Sequence, residues 1–133
     1  MTYQLSRSSQ DHRKGVDPKL IEISDLAIQL TNIDFGIPST GGFRTAGVQK
    51  GLYESKKSKA DGVTNLSKHQ LGYAIDFFPY VDGRASYEIE HLAQVACAFL
   101  QAASQLGYKV KSGGLWSSYR DWPHIELDRA ETT

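Results

Sequence analysis

The longest periodic stretch of the chain, residues 86–107, dictates what it can fold into. Ile89, Leu92, Ala93, Ala96, Phe99, Leu100 and Ala103 recur at helical spacing along it. Ser86 stands where a cap is needed, Glu88 and Glu90 suit the positive end of the helix dipole, and Gly107 ends the period. An apolar stripe of this length has to be covered by other elements. A second helix is expected over residues 17–31, with Asp17 as N-cap, Pro18 where a missing N–H costs nothing, and Leu20, Ile23, Leu26, Ala27 and Leu30 on one face. A weaker one is expected over 45–55, with Val48, Leu52 and Tyr53 on one side. Strand composition marks residues 33–37, 73–79, 108–111 and 124–127, with a turn at 81–84. Residues 38–42 and 56–68 have the chemistry of loops, and another loop carries Gly113, Gly114, Trp116, Tyr119 and Trp122. Strands do not alternate regularly with helices. The expected class is therefore α+β, a small, mostly antiparallel sheet packed with helices.

At 133 residues the chain is expected to form a single domain, 1–133, without room for a separate targeting or binding module. Fifteen Lys and Arg balance fifteen Asp and Glu, which removes the charge footprint of a nucleic-acid binder. Cys97 is the only cysteine, so no intrachain disulfide is possible, and its place on the long helix predicts a buried thiol. The opening residues are polar where a secretory signal would be apolar, and no stretch approaches the length of a membrane span. Synthesis in the cytoplasm and no membrane insertion are the expectations.

His69 sits at the end of the polar loop and Asp76 falls within the following strand. His124 follows Asp121-Trp122-Pro123 and opens the last strand. Two imidazoles and a carboxylate can form a catalytic zinc set with a fourth position left for water. Spacing alone leaves open that these are ordinary residues, because no zinc-finger pattern is present. His12 and His91 lie outside these segments and are expected to have no site role.

The segment SKHQLGYAID fits the S-x-H-x-x-G-x-A-x-D pattern of the zinc D-Ala-D-Ala metallopeptidases, and DWPHIE fits their later acid-x-x-H element. Within that group the chain most resembles the phage endolysins that act as L-alanyl-D-glutamate endopeptidases. The segments LSRSSQDHRKGVDPKLIEI and IDFGIPSTGGFRTAGVQKGLYESKKS extend the resemblance over nearly the whole chain.

The resemblance implies zinc held by His69, Asp76 and His124, with Asp121 as the catalytic base and Arg44 near the substrate carbonyl. Ser67 would orient a ligand or touch substrate, with a merely local loop hydrogen bond as the equal alternative. Glu126, two residues beyond His124 on the same strand face, is the rival base and the expected partner of a ligand. Trp116, Tyr119 and Trp122 could wall a substrate groove, with core packing the equal alternative for Trp116, and Lys56, Lys57, Lys59 and Lys68 gather in the loop before His69. The implied substrate is the stem peptide of bacterial peptidoglycan. The implied setting is a monomeric phage endolysin made in the host cytoplasm and admitted to the wall by a holin. A D-Ala-D-Ala carboxypeptidase or dipeptidase shares the same motifs. A wall-binding module stabilised by zinc, without hydrolysis, is the reading of another class, since hedgehog signalling domains share this metal architecture.

Overall fold

In chain order the elements are helix α1 (Arg7–His12), helix α2 (Pro18–Leu30), strand β1 (Phe35–Gly36), helix α3 (Ala46–Glu54), strands β2 (Ala74–Asp76), β3 (Phe78–Val81) and β4 (Arg84–Ala85), helix α4 (Ile89–Leu106), and strands β5 (Val110–Ser112) and β6 (His124–Leu127). A single 3-10 turn, Gly113–Leu115, follows β5. This is a computed structural model, and it describes residues 2–57, 60–62, 66–116, 120–128 and 131. No helix among the described residues is long and apolar enough to cross a membrane.

The two long helices pack on each other and share one core with the sheets. Leu20, Ile23 and Ala27 of α2 and Val95, Phe99 and Ala102 of α4 are completely buried. Phe99 stacks on Phe77 with ring centroids 5.2 Å apart and meets Phe35 at 5.0 Å. Each such aromatic removed from water contributes about 1.5–3 kcal/mol, which sets α4 firmly beneath the strands. The Asp17 carboxylate accepts from the Lys19 N–H at 2.9 Å, as its N-cap position requires. Gly107 closes α4 in the left-handed region at φ 81°, where a Cβ would be strained.

Several expectations change. The first residue of α4 is Ile89, and Glu88 rather than Ser86 is its N-cap. Ser86 instead pairs with His91 Nδ1 at 2.7 Å and accepts from the Glu88 N–H. Cys97 is exposed, because the buried face of α4 runs through Val95, Ala96, Ala98 and Phe99 and leaves position 97 outside. On α3, Val48 and Tyr53 face solvent, and the buried residue is the polar Gln49. Helix α1 lies in a segment with no apolar period. It is held by long-range bonds that a sequence window does not contain: Ser9 Oγ accepts from Ile37 N–H at 3.0 Å, and His12 Nδ1 donates to the Ile37 carbonyl at 2.6 Å.

The segment 73–79 is two strands in two sheets. Strand β2 pairs with β6 in the antiparallel order β2-β6-β5, and β3 pairs with β1 and β4 in the order β1-β3-β4. The partners change at the junction. Asp76 N–H donates to the Gly41 carbonyl at 2.7 Å and Phe77 N–H to that of Pro123 at 3.0 Å, so the chain leaves one sheet for the other just after Asp76.

Candidate metal centre

The register of β2 against β6 sets Asp76 directly opposite His124, so two residues 48 positions apart in the chain become cross-strand neighbours at the sheet end. The third member comes from a tight turn. Tyr73 N–H donates to the Lys68 carbonyl at 2.9 Å, and Gly72 takes φ +76° with the Gly15 carbonyl only 2.9 Å from where a Cβ would stand. Ser67 Oγ accepts from the His69 N–H at 3.1 Å and so fixes the turn that carries the imidazole.

The ligand atoms converge. His69 Nε2 lies 3.1 Å and His124 Nδ1 3.2 Å from the same oxygen, Asp76 Oδ1. One ligand atom from each residue falls within 4.8 Å of the other two. The opposite ring nitrogens are both occupied: His69 Nδ1 donates to the Gly42 carbonyl at 2.9 Å, and His124 Nε2 donates to Glu126 Oε1 at 2.9 Å. A carbonyl and a carboxylate can only accept, so each bond keeps a proton on the far ring nitrogen, and the nitrogen facing Asp76 is the one that would give up its proton to a metal ion. Two neutral imidazoles and a carboxylate, each oriented from behind, fit a divalent metal ion of the kind bound by nitrogen and oxygen donors.

Charge reinforces this arrangement. Burial alone would raise the Asp76 carboxyl, but the charge of His69 and hydrogen bonds from both imidazoles hold it well below the carboxylate range. Burial would lower His124, yet its bonds to Asp76 and Glu126 push it up to about 9 in the metal-free chain. Glu126 is held down by His124 against the effect of its own burial, so it is the ionised acceptor in that pair.

A cleft of about 330 Å³ opens over the triad, with Arg44, Asp121 and Trp116 on its walls. Asp121 is brought there by the glycines after β5. Its N–H donates to the Gly113 carbonyl at 2.9 Å, and a Cβ on Gly113 would stand 2.2 Å from the Asp121 carbonyl. Burial and the Asp76 charge raise the Asp121 carboxyl, while His124, His69 and Arg44 draw it back. Among the described residues no hydrogen bond ties its carboxylate down, and it faces the cleft.

Arg44 has a fixed guanidinium. Nε donates to the Thr40 carbonyl at 2.7 Å, Nη1 to Gln49 Oε1 at 3.1 Å and Nη2 to Asp76 Oδ2 at 3.0 Å. Asp76 thus presents one oxygen to the imidazoles and the other to arginine. Gln49 is completely buried, and its Nε2 donates to the Ala60 carbonyl at 2.7 Å. Sequence reasoning missed it because a lone polar residue on a short helix reads as solvent-facing. Its place five residues beyond the arginine was the only signal.

The remaining sequence candidates divide. Glu126 lies behind the His124 ring and does not line the cleft, which favours the orienting role over that of rival base. Trp122 packs on the core and over Gly114, whose missing side chain makes room for the indole, so it is not a cleft wall. Trp116 is, with its ring 5.2 Å from that of His124. Tyr119 and Lys59 lie outside the described residues. His12 and His91 stand apart from the triad; His91, Glu88 and Glu90 form a separate group at the start of α4, where both glutamates are exposed.

A His-Asp-His set at the end of an antiparallel sheet, with a free carboxylate and an anchored arginine on one cleft, fits a metallopeptidase. Comparison with known proteins makes the class specific. The model of the phage L-alanyl-D-glutamate peptidases matches residues 1–131, and the chain belongs to that family. It is 32% identical over 135 aligned residues to the L-alanyl-D-glutamate peptidase of Escherichia phage T5, covering 97% of this chain and 92% of that one. The crystal structure of the L-Ala D-Glu endopeptidase ChiX from Serratia marcescens superposes with a TM-score of 0.84 at 28% identity, over 96% of this chain and 92% of that one. An L,D-carboxypeptidase from Streptococcus pneumoniae shares the fold at a TM-score of 0.50 and 22% identity, over 92% of this chain and 72% of that one.

Proposed function

We propose that this protein is a zinc endopeptidase that hydrolyses the L-Ala-D-Glu bond of peptidoglycan stem peptides and serves as a phage endolysin. The observation that carries this reading is the convergence of His69, Asp76 and His124 beneath a cleft that Asp121 also faces. Their atoms Nε2, Oδ1 and Nδ1 would hold the ion. Zinc bound there supplies Lewis acidity, which polarises a carbonyl and acidifies water toward neutral pH. Asp121 accepts the proton of the attacking water and returns it to the departing amine, a task for a carboxylate without a fixed partner. Arg44 uses three of its five N–H groups on Thr40, Gln49 and Asp76, and the remaining two, without a partner among the described residues, stabilise the oxyanion that develops on the substrate carbonyl.

The family match favours this bond over that of a D-Ala-D-Ala carboxypeptidase or dipeptidase, and Asp121 disfavours a module that only binds the wall. The setting belongs to the same proposal: a monomer made in the host cytoplasm that reaches peptidoglycan after a holin opens the membrane. Mass spectrometry of purified peptidoglycan after digestion tests the reading. New alanyl carboxyl and glutamyl amino termini are expected; release of terminal D-alanine instead would replace it.

A further inference from the structure

We propose that Lys57 is a specificity-determining residue that recognises the free carboxylate of the glutamyl residue just beyond the scissile bond. The inference rests on the endopeptidase reading above. A glutamate has two carboxyl groups. When its nitrogen is acylated by alanine and one carboxyl continues the stem, the other is left free, only a few bonds from the nitrogen that becomes the leaving amine. An enzyme that closes on this bond must therefore take an anion into the cleft itself.

Among the described residues the cleft is poorly prepared for an anionic substrate group apart from one residue. Asp76 and Asp121 are both acidic there, and Asp121 faces the cleft without a described hydrogen-bond partner. The Arg44 side chain is only 10% exposed, already binds Asp76, Gln49 and Thr40, and has its two remaining N–H groups assigned to the oxyanion. Among the described residues, Lys57 is the other Lys or Arg that lines the cleft. It is exposed and makes no ion pair with a described residue, while its backbone is anchored by an N–H bond to the Leu52 carbonyl at 2.8 Å, just beyond α3. An ammonium that is held by its main chain and free at its tip suits a carboxylate that arrives with the substrate. It also offsets the repulsion that Asp121 would impose on that group.

The test uses two synthetic stem peptides that differ only at this group, one with the glutamyl carboxylate and one with the carboxamide. Initial rates would be measured for wild type, Lys57→Met and Lys57→Arg. Wild type should prefer the carboxylate by about 10-fold or more in kcat/KM, the scale of a charge-assisted hydrogen bond. Lys57→Met should bring the ratio close to one through loss on the carboxylate peptide, and Lys57→Arg should keep the preference. A ratio in Lys57→Met equal to that of wild type, or an equal fall for both peptides, overturns the role of Lys57 and leaves the peptidase reading standing. Failure of wild type to cut either peptide between alanine and glutamate rejects that reading and this inference together.

Discussion

Glu126 Oε1 takes the Nε2 proton of His124 at 2.9 Å, and this turns Nδ1 of the same ring toward Asp76. A carboxylate in that position tunes a ligand from behind. Asp121 lies on the open side of the cleft, where the proposed mechanism has it take the proton of the attacking water. The two acids are therefore separable by experiment. Asp121→Asn should keep its metal and lose roughly 10² to 10⁴-fold in hydrolysis, the range of general acid-base catalysis. Glu126→Gln should cost about 10 to 100-fold, with part of the loss in metal affinity. Metal content measured beside activity decides the matter, and a metal-loaded but inactive Glu126→Gln with an active Asp121→Asn would exchange the roles.

Removing any one ligand should empty the site. Wild type is expected to hold about one zinc per chain, and His69→Ala, Asp76→Ala and His124→Ala each to fall well below that, because a catalytic site normally has only three protein ligands. Chelation should lower the melting temperature as well as activity, since an ion that binds only the native chain stabilises it. Elemental analysis with full zinc in all three variants would reject the set.

Metal uptake should release a proton. In the metal-free chain the His124 pKa is raised from 6.5 to about 9, so its charged form stabilises the fold fully below pH 6.5 and this contribution disappears as pH rises through 9. Metal needs the neutral ring. Over pH 7–8 binding should liberate about one proton, and affinity should fall by about tenfold per unit as pH drops. Calorimetry in buffers of different ionisation enthalpy reads this number directly; zero protons released would contradict the proposed coupling.

Arg44→Lys keeps a charge but cannot reach Thr40, Gln49 and Asp76 with one planar fork. Turnover should fall by roughly 10²-fold, as on loss of an oxyanion donor. Gln49→Leu should act on stability as well, because it takes from the Arg44 Nη1 a buried hydrogen-bond acceptor, a cost of about 1–3 kcal/mol. Wild-type turnover in Arg44→Lys would remove the arginine from the chemistry.

Gly113→Ala tests how the base is delivered. The new Cβ would meet the Asp121 carbonyl at 2.2 Å, and that carbonyl accepts the His124 N–H at 3.0 Å. The loop has to move, at an overpacking cost of about 1–3 kcal/mol. Chemical denaturation should show the loss, and activity should fall further than at Gly47→Ala, where nothing lies within 4 Å of the added carbon.

What the chain carries in short windows was legible without coordinates. The stripes of α2 and α4, the Asp17-Pro18 start, the Gly107 stop and the strand His124–Leu127 all follow from local periodicity and capping, because those rules act over a few residues. The candidate ligands were legible through motifs of fixed spacing. Tertiary structure decided the rest. The break after Asp76 depends on Gly41 and Pro123 as hydrogen-bond partners from distant segments, and α1 depends on Ile37. Trp116 and Trp122 have the same side chain, and Trp122 packs on the core where the absence of a Cβ at Gly114 leaves room for its indole. Gln49 is polar in any local reading, and it is buried because Arg44 and Ala60 satisfy its amide where no water is needed. Sequence by itself determined which residues were available for chemistry. Only long-range register and close packing decided which atoms of those residues face one another, because both depend on partners tens of residues away.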